Sequence, residues 1–244
     1  MKILIPNTIA LPLTADVETV VYDIDADVPD EHRDAEVLVV WHNSSSWLQH
    51  AARVLPRLQL VQALASGADA VLNAGFAADV RICSGRSLHD GPVAEHALAL
   101  ILSAVRRLDR LRDAQREHRW DDEFIDEQSA AETRALHTLS GARVTIWGFG
   151  SIASTLAPSL TALGAEVQGI ARTAGERSGF DVHADADATD VLADTDVLVS
   201  ILPATDETAD LFDAEVFAAL KPGAVFVNVG RGATVDEGLS LIHI

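Results

Sequence analysis

Residues 142–153 read Ala-Arg-Val-Thr-Ile-Trp-Gly-Phe-Gly-Ser-Ile-Ala, and the fold is decided by this stretch. The apolar run 142–147 has the pattern of a buried parallel strand. Gly148 and Gly150 follow at once, and residues 151–163 then carry Ile152, Leu156, Leu160 and Leu163 at helical spacing. Strand, glycine turn and helix in that order form the setting a dinucleotide fingerprint requires. Gly148 permits the tight turn. Gly150 lets the backbone approach a pyrophosphate, which would lie against the N–H groups at the helix start, those of Ser151 and Ile152. Ala153, at the third glycine position, is small enough for close helix–strand packing. A lone G-x-G-x-x-A also fits a plain βα turn, but its setting favours a nucleotide site.

Outward from this stretch, the second part of the chain alternates strands with helices. Strands are expected at 142–147, 165–170, 196–202 and 224–229, and helices at 151–163, near 186–193 and at 213–220. This order predicts an α/β fold with a doubly wound parallel sheet, whose ligands bind at the carboxyl ends of the strands. Gly148, Pro203 and Arg231 each fall just past a strand end, so they should gather along one edge.

Before it, strands are expected at 2–5, 19–22, 37–41, 58–62, 70–72 and 81–83, with a helix at 47–55 ending at Pro56. A second parallel sheet follows from that alternation. Pro92 opens a long helix, expected from 93 to about 112 and apolar almost all round between Ala97 and Val105, as in a helix buried within or between subunits. Its second half turns basic, which suits a helix C-terminus. The polar, acidic residues 113–139 read as a linker or surface excursion.

The 244 residues are enough for two modest domains, and 48% of them are apolar. The formal charge of −19, with Lys2 and Lys221 the only lysines, argues against nucleic acid and anionic membranes as partners. An acidic binding surface and a general solvating coat both explain such a charge. The acids are spread along 16–34, 109–132, 181–196 and 206–215, which favours the coat, of the kind that suits a very salty cytoplasm. No apolar run is long enough to span a bilayer, the first residues lack a signal-peptide layout, and Cys83 is the only cysteine. Together these suit a cytoplasmic protein. The histidines show no metal-ligand spacing, so no metal is expected. Cys83 reads as a buried small hydrophobe, His96 as a packing residue near a helix start, and His42 and Trp120 as surface residues, with 41–46 close to where substrate loops fall.

Five segments carry a resemblance to a known family: 61–69 (VQALASGAD), 91–96 (GPVAEH), 139–153 (LSGARVTIWGFGSIA), 202–208 (LPATDET) and 221–235 (KPGAVFVNVGRGATV). The chain resembles the D-isomer-specific 2-hydroxyacid dehydrogenases, and the last segment is the most diagnostic. The resemblance implies a flavodoxin-like substrate domain at 1–91, a Rossmann-type NAD(P)-binding domain at 92–244, a cleft between them, and a homodimer built around the 93–112 helix region. It implies hydride transfer between NAD(P)H and a small 2-keto or 2-hydroxy acid. Gly148, Gly150 and Ile152 would hold the pyrophosphate. Pro203 and Thr205 would line the nucleotide near its adenosine end, and Asn228, Val229 and Gly230 would lie beneath the nicotinamide. Ser66 and Gly67 would present backbone N–H groups to the substrate carboxylate. Arg231 matches the family's catalytic arginine. A guanidinium can grip a carboxylate and a neighbouring carbonyl oxygen together, and polarise the latter.

Two departures from the family pattern stand out. The second strand ends Gly169-Ile170-Ala171-Arg172-Thr173, with no acid to take the ribose hydroxyls. Arg172 beside the small Ala171 can receive a 2′-phosphate, so NADP is preferred slightly over NAD; a solvated arginine with NAD retained is the competing reading. The family also places a glutamate and a catalytic histidine well beyond the arginine motif, where this chain ends at Ile244. His243 comes too early for that acid, and 240–244 break the amphipathic pattern. The expectation is a C-terminally truncated member, inactive as it stands. A natural short form that only binds nucleotide, or a nucleotide-sensing regulator of corepressor type, is the alternative.

Overall fold

The computed structural model describes residues 1–12 and 17–240. Asp16 of the first acidic run, and the tail 241–244 with His243, lie outside the described residues. The chain divides into two compact units, Met1–His89 and Asp90–Ile244.

The first unit contains β1 (Lys2–Pro6), β2 (Glu18–Tyr22), β3 (Val37–Val40), α1 (Ser45–Val54), β4 (Leu60–Ala63), α2 (Asp69–Leu72) and β5 (Arg81–Cys83). Its five strands pair in parallel in the order β2-β1-β3-β4-β5, the flavodoxin-like order. Leu4, Leu38 and Val61 share one core with Trp47, Leu48 and Ala51 of α1. That helix starts where the Ser44 hydroxyl accepts from the Trp47 N–H, a capping bond that satisfies one of its orphan donors.

The second unit opens with α3 (Asp90–Val105), α4 (Leu108–Arg116) and α5 (Asp122–Ser129). Then come β6 (Arg143–Trp147), α6 (Ser151–Ala162), β7 (Glu166–Ala171), β8 (Gly175–Arg177), β9 (Phe180–Ala184), α7 (Ala188–Leu192), β10 (Val197–Ser200), α8 (Ala214–Ala219), β11 (Val225–Asn228) and α9 (Glu237–Ser240). The sheet order is β11-β10-β6-β7-β9-β8, and only the β8–β9 pair is antiparallel. Its central strands β6 and β10 are buried on both faces, as in a parallel sheet covered by helices. Val144, Ile146, Val197 and Val199 pack with Ile101 of α3 and Leu156 and Leu160 of α6. Trp147, Ile170 and Leu198 pack on the opposite face with Leu192 and Phe212. From the central β6 the chain winds to β7 and β9 on one side, then returns to β10 and β11 on the other. The direction reverses between β6 and β10, and such a reversal opens a crevice at the carboxyl ends of the strands.

Several expectations need correction. Residues 70–72, read as a strand, lie in the short helix α2. The expected single helix from 93 to about 112 is two helices, parted at Arg107, whose φ of 47° is left-handed. Within the chain, Ala94, Ala97, Ile101 and Val105 form the buried face of α3, while Leu100 is exposed. The supposed excursion 113–139 holds the end of α4 and all of α5, fastened by Arg110, which bonds Asp121 through two nitrogens at 2.8 and 2.9 Å and Glu127 at 2.9 Å. Cys83 is exposed rather than buried, because it closes the edge strand β5. His96 is exposed too, on the outer face of α3, rather than packed in the core.

Candidate functional site

The turn after β6 is built so that only glycine fits at its first position. Gly148 has φ of 99°, and a Cβ there would stand 2.7 Å from the Ile201 carbonyl oxygen. Its N–H donates to the Ile170 carbonyl at 2.9 Å, which fixes the turn against β7. Phe149 then points down into the core, over the bare Gly169 of β7, where any Cβ would collide with its ring. With Phe149 anchored, the backbone rises at Gly150, where nothing lies within 4 Å of a would-be Cβ.

Helix α6 begins there with no side chain capping its N-terminus. Uncapped N–H groups on a helix of twelve residues, beneath a glycine with open space beside it, fit a diphosphate both sterically and electrostatically. Ser151 hydrogen-bonds through its hydroxyl to Asp90 at 3.0 Å, so what it offers to an anion is its backbone N–H. Ile152 is half-buried against the core.

The rim beyond β7 is basic. Ala171 is buried at the strand end and Arg172 is exposed after it. Arg177, on β8, donates to the Phe149 carbonyl at 3.1 Å and to the Thr173 carbonyl at 2.9 Å. It ties the β8–β9 hairpin to the glycine turn. Ser178 continues that tie, its hydroxyl 3.0 Å from that of Ser154 on α6.

The loop after β10 carries Pro203 and Thr205, both exposed. Thr208 staples it: its hydroxyl donates to the Pro203 carbonyl at 2.6 Å and accepts from the Thr205 N–H at 2.9 Å. Beyond β11, the Val229 N–H bonds the Ser200 carbonyl at 3.0 Å, and Gly230 lies so close to Leu202 that a Cβ would meet its carbonyl oxygen at 2.5 Å. Asn228 accepts from the Gly230 N–H at 2.9 Å and donates to the Arg231 carbonyl at 3.0 Å. Arg231 itself is exposed, with one guanidinium nitrogen 3.1 Å from the Gly230 carbonyl.

Gly148, Gly150, Ser151, Ile152, Ala171, Arg172, Pro203, Thr205, Asn228, Val229, Gly230 and Arg231 therefore share the carboxyl edge of the second unit's sheet. Ser66 and Gly67 lie in the first unit, just past the carboxyl end of β4. Arg177, Thr208 and Asp90 escaped the sequence reading. The Ser178-Gly179 dipeptide, a common turn signal, marks the hairpin that delivers Arg177.

A sequence model of the D-isomer specific 2-hydroxyacid dehydrogenase NAD binding domain matches residues 98–242. The D-3-phosphoglycerate dehydrogenase of Mycobacterium bovis is 32% identical over 187 residues, 75% of this chain and 33% of that protein. Glyoxylate/hydroxypyruvate reductase A of Serratia proteamaculans is 29% identical over 217 residues, 86% of this chain and 64% of that protein. The chain thus spans a third to under two thirds of these relatives' length. A solved D-isomer specific 2-hydroxyacid dehydrogenase family protein from Aeromonas salmonicida superimposes with a TM-score of 0.77 at 28% identity, covering 99% of this chain and 76% of its own.

Proposed function

The chain belongs to the D-isomer specific 2-hydroxyacid dehydrogenase family, and from that premise we propose that it serves hydride transfer between NAD(P)H and a small 2-keto or 2-hydroxy acid. The observation that carries this reading is the shared edge: an uncapped helix N-terminus after β6 and an arginine after β11, at the carboxyl ends of strands on either side of β10.

In this reading the N–H groups at the start of α6 hold the cofactor diphosphate, with Gly148 and Gly150 making room for it. Arg172 takes the 2′-phosphate of NADP, the preferred cofactor, while Pro203 and Thr205 line the adenosine end. Asn228, Val229 and Gly230 lie beneath the nicotinamide, which supplies or accepts the hydride. Arg231 binds the acid's carboxylate and keto oxygen together and draws electron density from the carbonyl carbon. Ser66 and Gly67, in a substrate domain formed by the first unit, offer backbone N–H groups suited to a substrate carboxylate. Reduction also consumes a proton, whose donor is not assigned among the described residues. A homodimer built around the 93–112 helix region belongs to the same reading; the exposed Leu100, Leu108 and Leu111 support it.

Oxamate, an unreactive 2-keto acid analogue, tests the role of Arg231 when titrated calorimetrically in the presence of saturating NADPH. Arg231→Ala abolishes oxamate binding while nucleotide affinity persists. Oxamate binding that survives in Arg231→Ala refutes the role.

A further inference from the structure

Arg231 sits at the entry of a tight 3₁₀ turn, Gly232–Thr234, in an extended conformation with φ −133° and ψ 139°. Nothing in that conformation fixes the direction in which a long, exposed side chain leaves the backbone. The surroundings of its carbonyl hold the backbone from which it departs. Three donors converge on the Arg231 oxygen: the Thr234 hydroxyl at 2.7 Å, the Asn228 side-chain amide at 3.0 Å and the Thr234 N–H at 3.1 Å. The Asn228 oxygen meanwhile holds the Gly230 N–H at 2.9 Å. One amide therefore grips the backbone on both sides of the arginine. The same amide nitrogen also lies 3.4 Å from the Thr234 hydroxyl, which faces it from the same side as the Arg231 carbonyl.

Thr234 is fully buried. Burying a hydroxyl costs free energy unless it is hydrogen-bonded, and valine would fill the same volume. The turn does not need the hydroxyl to form. The Thr234 carbonyl accepts from the Phe212 N–H at 2.9 Å, Val235 bridges Phe212, and Phe212 is itself fully buried. Backbone bonds and packing hold the turn, and the hydroxyl is spent on the Arg231 carbonyl.

We propose that Thr234 and Asn228 are positioning residues for Arg231: a buried hydroxyl and a half-buried amide on its carbonyl that set the angle at which its guanidinium leaves the sheet edge. The proposal rests on the reading of Arg231 as the group that binds the 2-keto acid. It gives Asn228, which lies beneath the nicotinamide in that reading, a second role as a brace of the arginine.

The test uses the full chain with Thr234→Val, which keeps the volume and removes the donor, and Thr234→Ser, which restores the donor. In the presence of saturating NADPH, Thr234→Val weakens oxamate about tenfold, in line with the loss of one hydrogen bond, and leaves nucleotide affinity unchanged. Thr234→Ser recovers most of the oxamate affinity. A second readout is free of any ligand: the rate at which phenylglyoxal, an arginine-selective dicarbonyl, modifies Arg231, resolved by mass spectrometry. That rate rises in Thr234→Val and returns in Thr234→Ser. Wild-type modification rates in Thr234→Val overturn the proposal, and so does a parallel loss of nucleotide and oxamate that serine fails to rescue. Arg231→Ala separates the two claims: if it still binds oxamate, the assignment of Arg231 fails, whereas if it loses oxamate while Thr234→Val does not, only the positioning role fails.

Discussion

The bare face of Gly148 lies against the carbonyl of Ile201. A Cβ on Gly148 would stand 2.7 Å from the Ile201 oxygen and 2.8 Å from its carbon, where the ends of β6 and β10 part. Both atoms are backbone and cannot swing aside. Gly148→Ala therefore forces the two strand ends apart and also places alanine at φ 99°. The strained dihedral alone costs about 1–3 kcal/mol. We expect a lower melting temperature and at least a tenfold weaker nucleotide complex, roughly the effect of 1.4 kcal/mol. Thermal melts and NADPH titrations check this; a variant as stable as wild type contradicts the geometry.

Arg172 governs the choice of cofactor in our reading. It is exposed after β7, at the strand end where an acid would otherwise meet the ribose hydroxyls. Arg172→Glu loses NADPH affinity by about 10- to 100-fold, the range for a hydrogen bond to a charged group, and keeps or gains NADH affinity. Fluorescence titration with both nucleotides gives the ratio. Wild-type protein that binds NADH more tightly than NADPH refutes the preference.

Acid should loosen the α4–α5 pair in a definite window. The Arg110 guanidinium, hydrogen-bonded to Asp121, holds that carboxylate down at about 2 against the bonds' cost in desolvation, and the Phe124 N–H helps. Glu123, Glu127 and Arg119 complete the cluster. A carboxylate whose folded pKa is depressed stabilises the fold fully above its unfolded value, about 3.9, and loses that contribution as pH falls through the folded one. Asp121→Asn should thus melt lower than wild type at pH 6, and the gap should close between about pH 4 and pH 2. Calorimetric scans across that range decide it; a gap that stays constant with pH contradicts the ion pair's role.

The two sheets were legible in the sequence because buried parallel strands announce themselves as short apolar runs between turn residues, as at 142–147 and 224–229. Where local signals were ambiguous or absent, the reading failed. Ala70-Val71-Leu72 is too short a run to tell helix from strand, and Asp69 at the first turn decides for helix. The break at Arg107 carries no glycine or proline to mark it, since the left-handed residue there is an arginine. Half of helix α5 is acidic; the Asp121 cap and the distant Arg110 hold it, which no local pattern displays. The same division runs through the site. Glycines declare where a backbone must turn or admit a ligand, so Gly148 and Gly150 could be named in advance. Arg177 acts through a hydrogen bond to the Phe149 carbonyl of another loop, a partner that exists only once the chain has folded, while Thr208 and Thr234 bond carbonyls of their own turns, contacts that no glycine or proline announces.

Gly150 offers the most direct test of the central claim, that the start of α6 grips a diphosphate. Its φ of −107° suits any residue, and open space surrounds its missing Cβ. Aspartate there is a good helix cap, a few tenths of a kcal/mol better than glycine, so Gly150→Asp should melt at or slightly above the wild-type temperature. Its carboxylate would occupy the same N–H groups and repel the phosphates. The measurement is the NADPH dissociation constant of this variant beside its melting curve. The account predicts a stable protein with nucleotide binding weakened at least a hundredfold, roughly 2.8 kcal/mol. A stable Gly150→Asp protein that binds NADPH as tightly as wild type would contradict it.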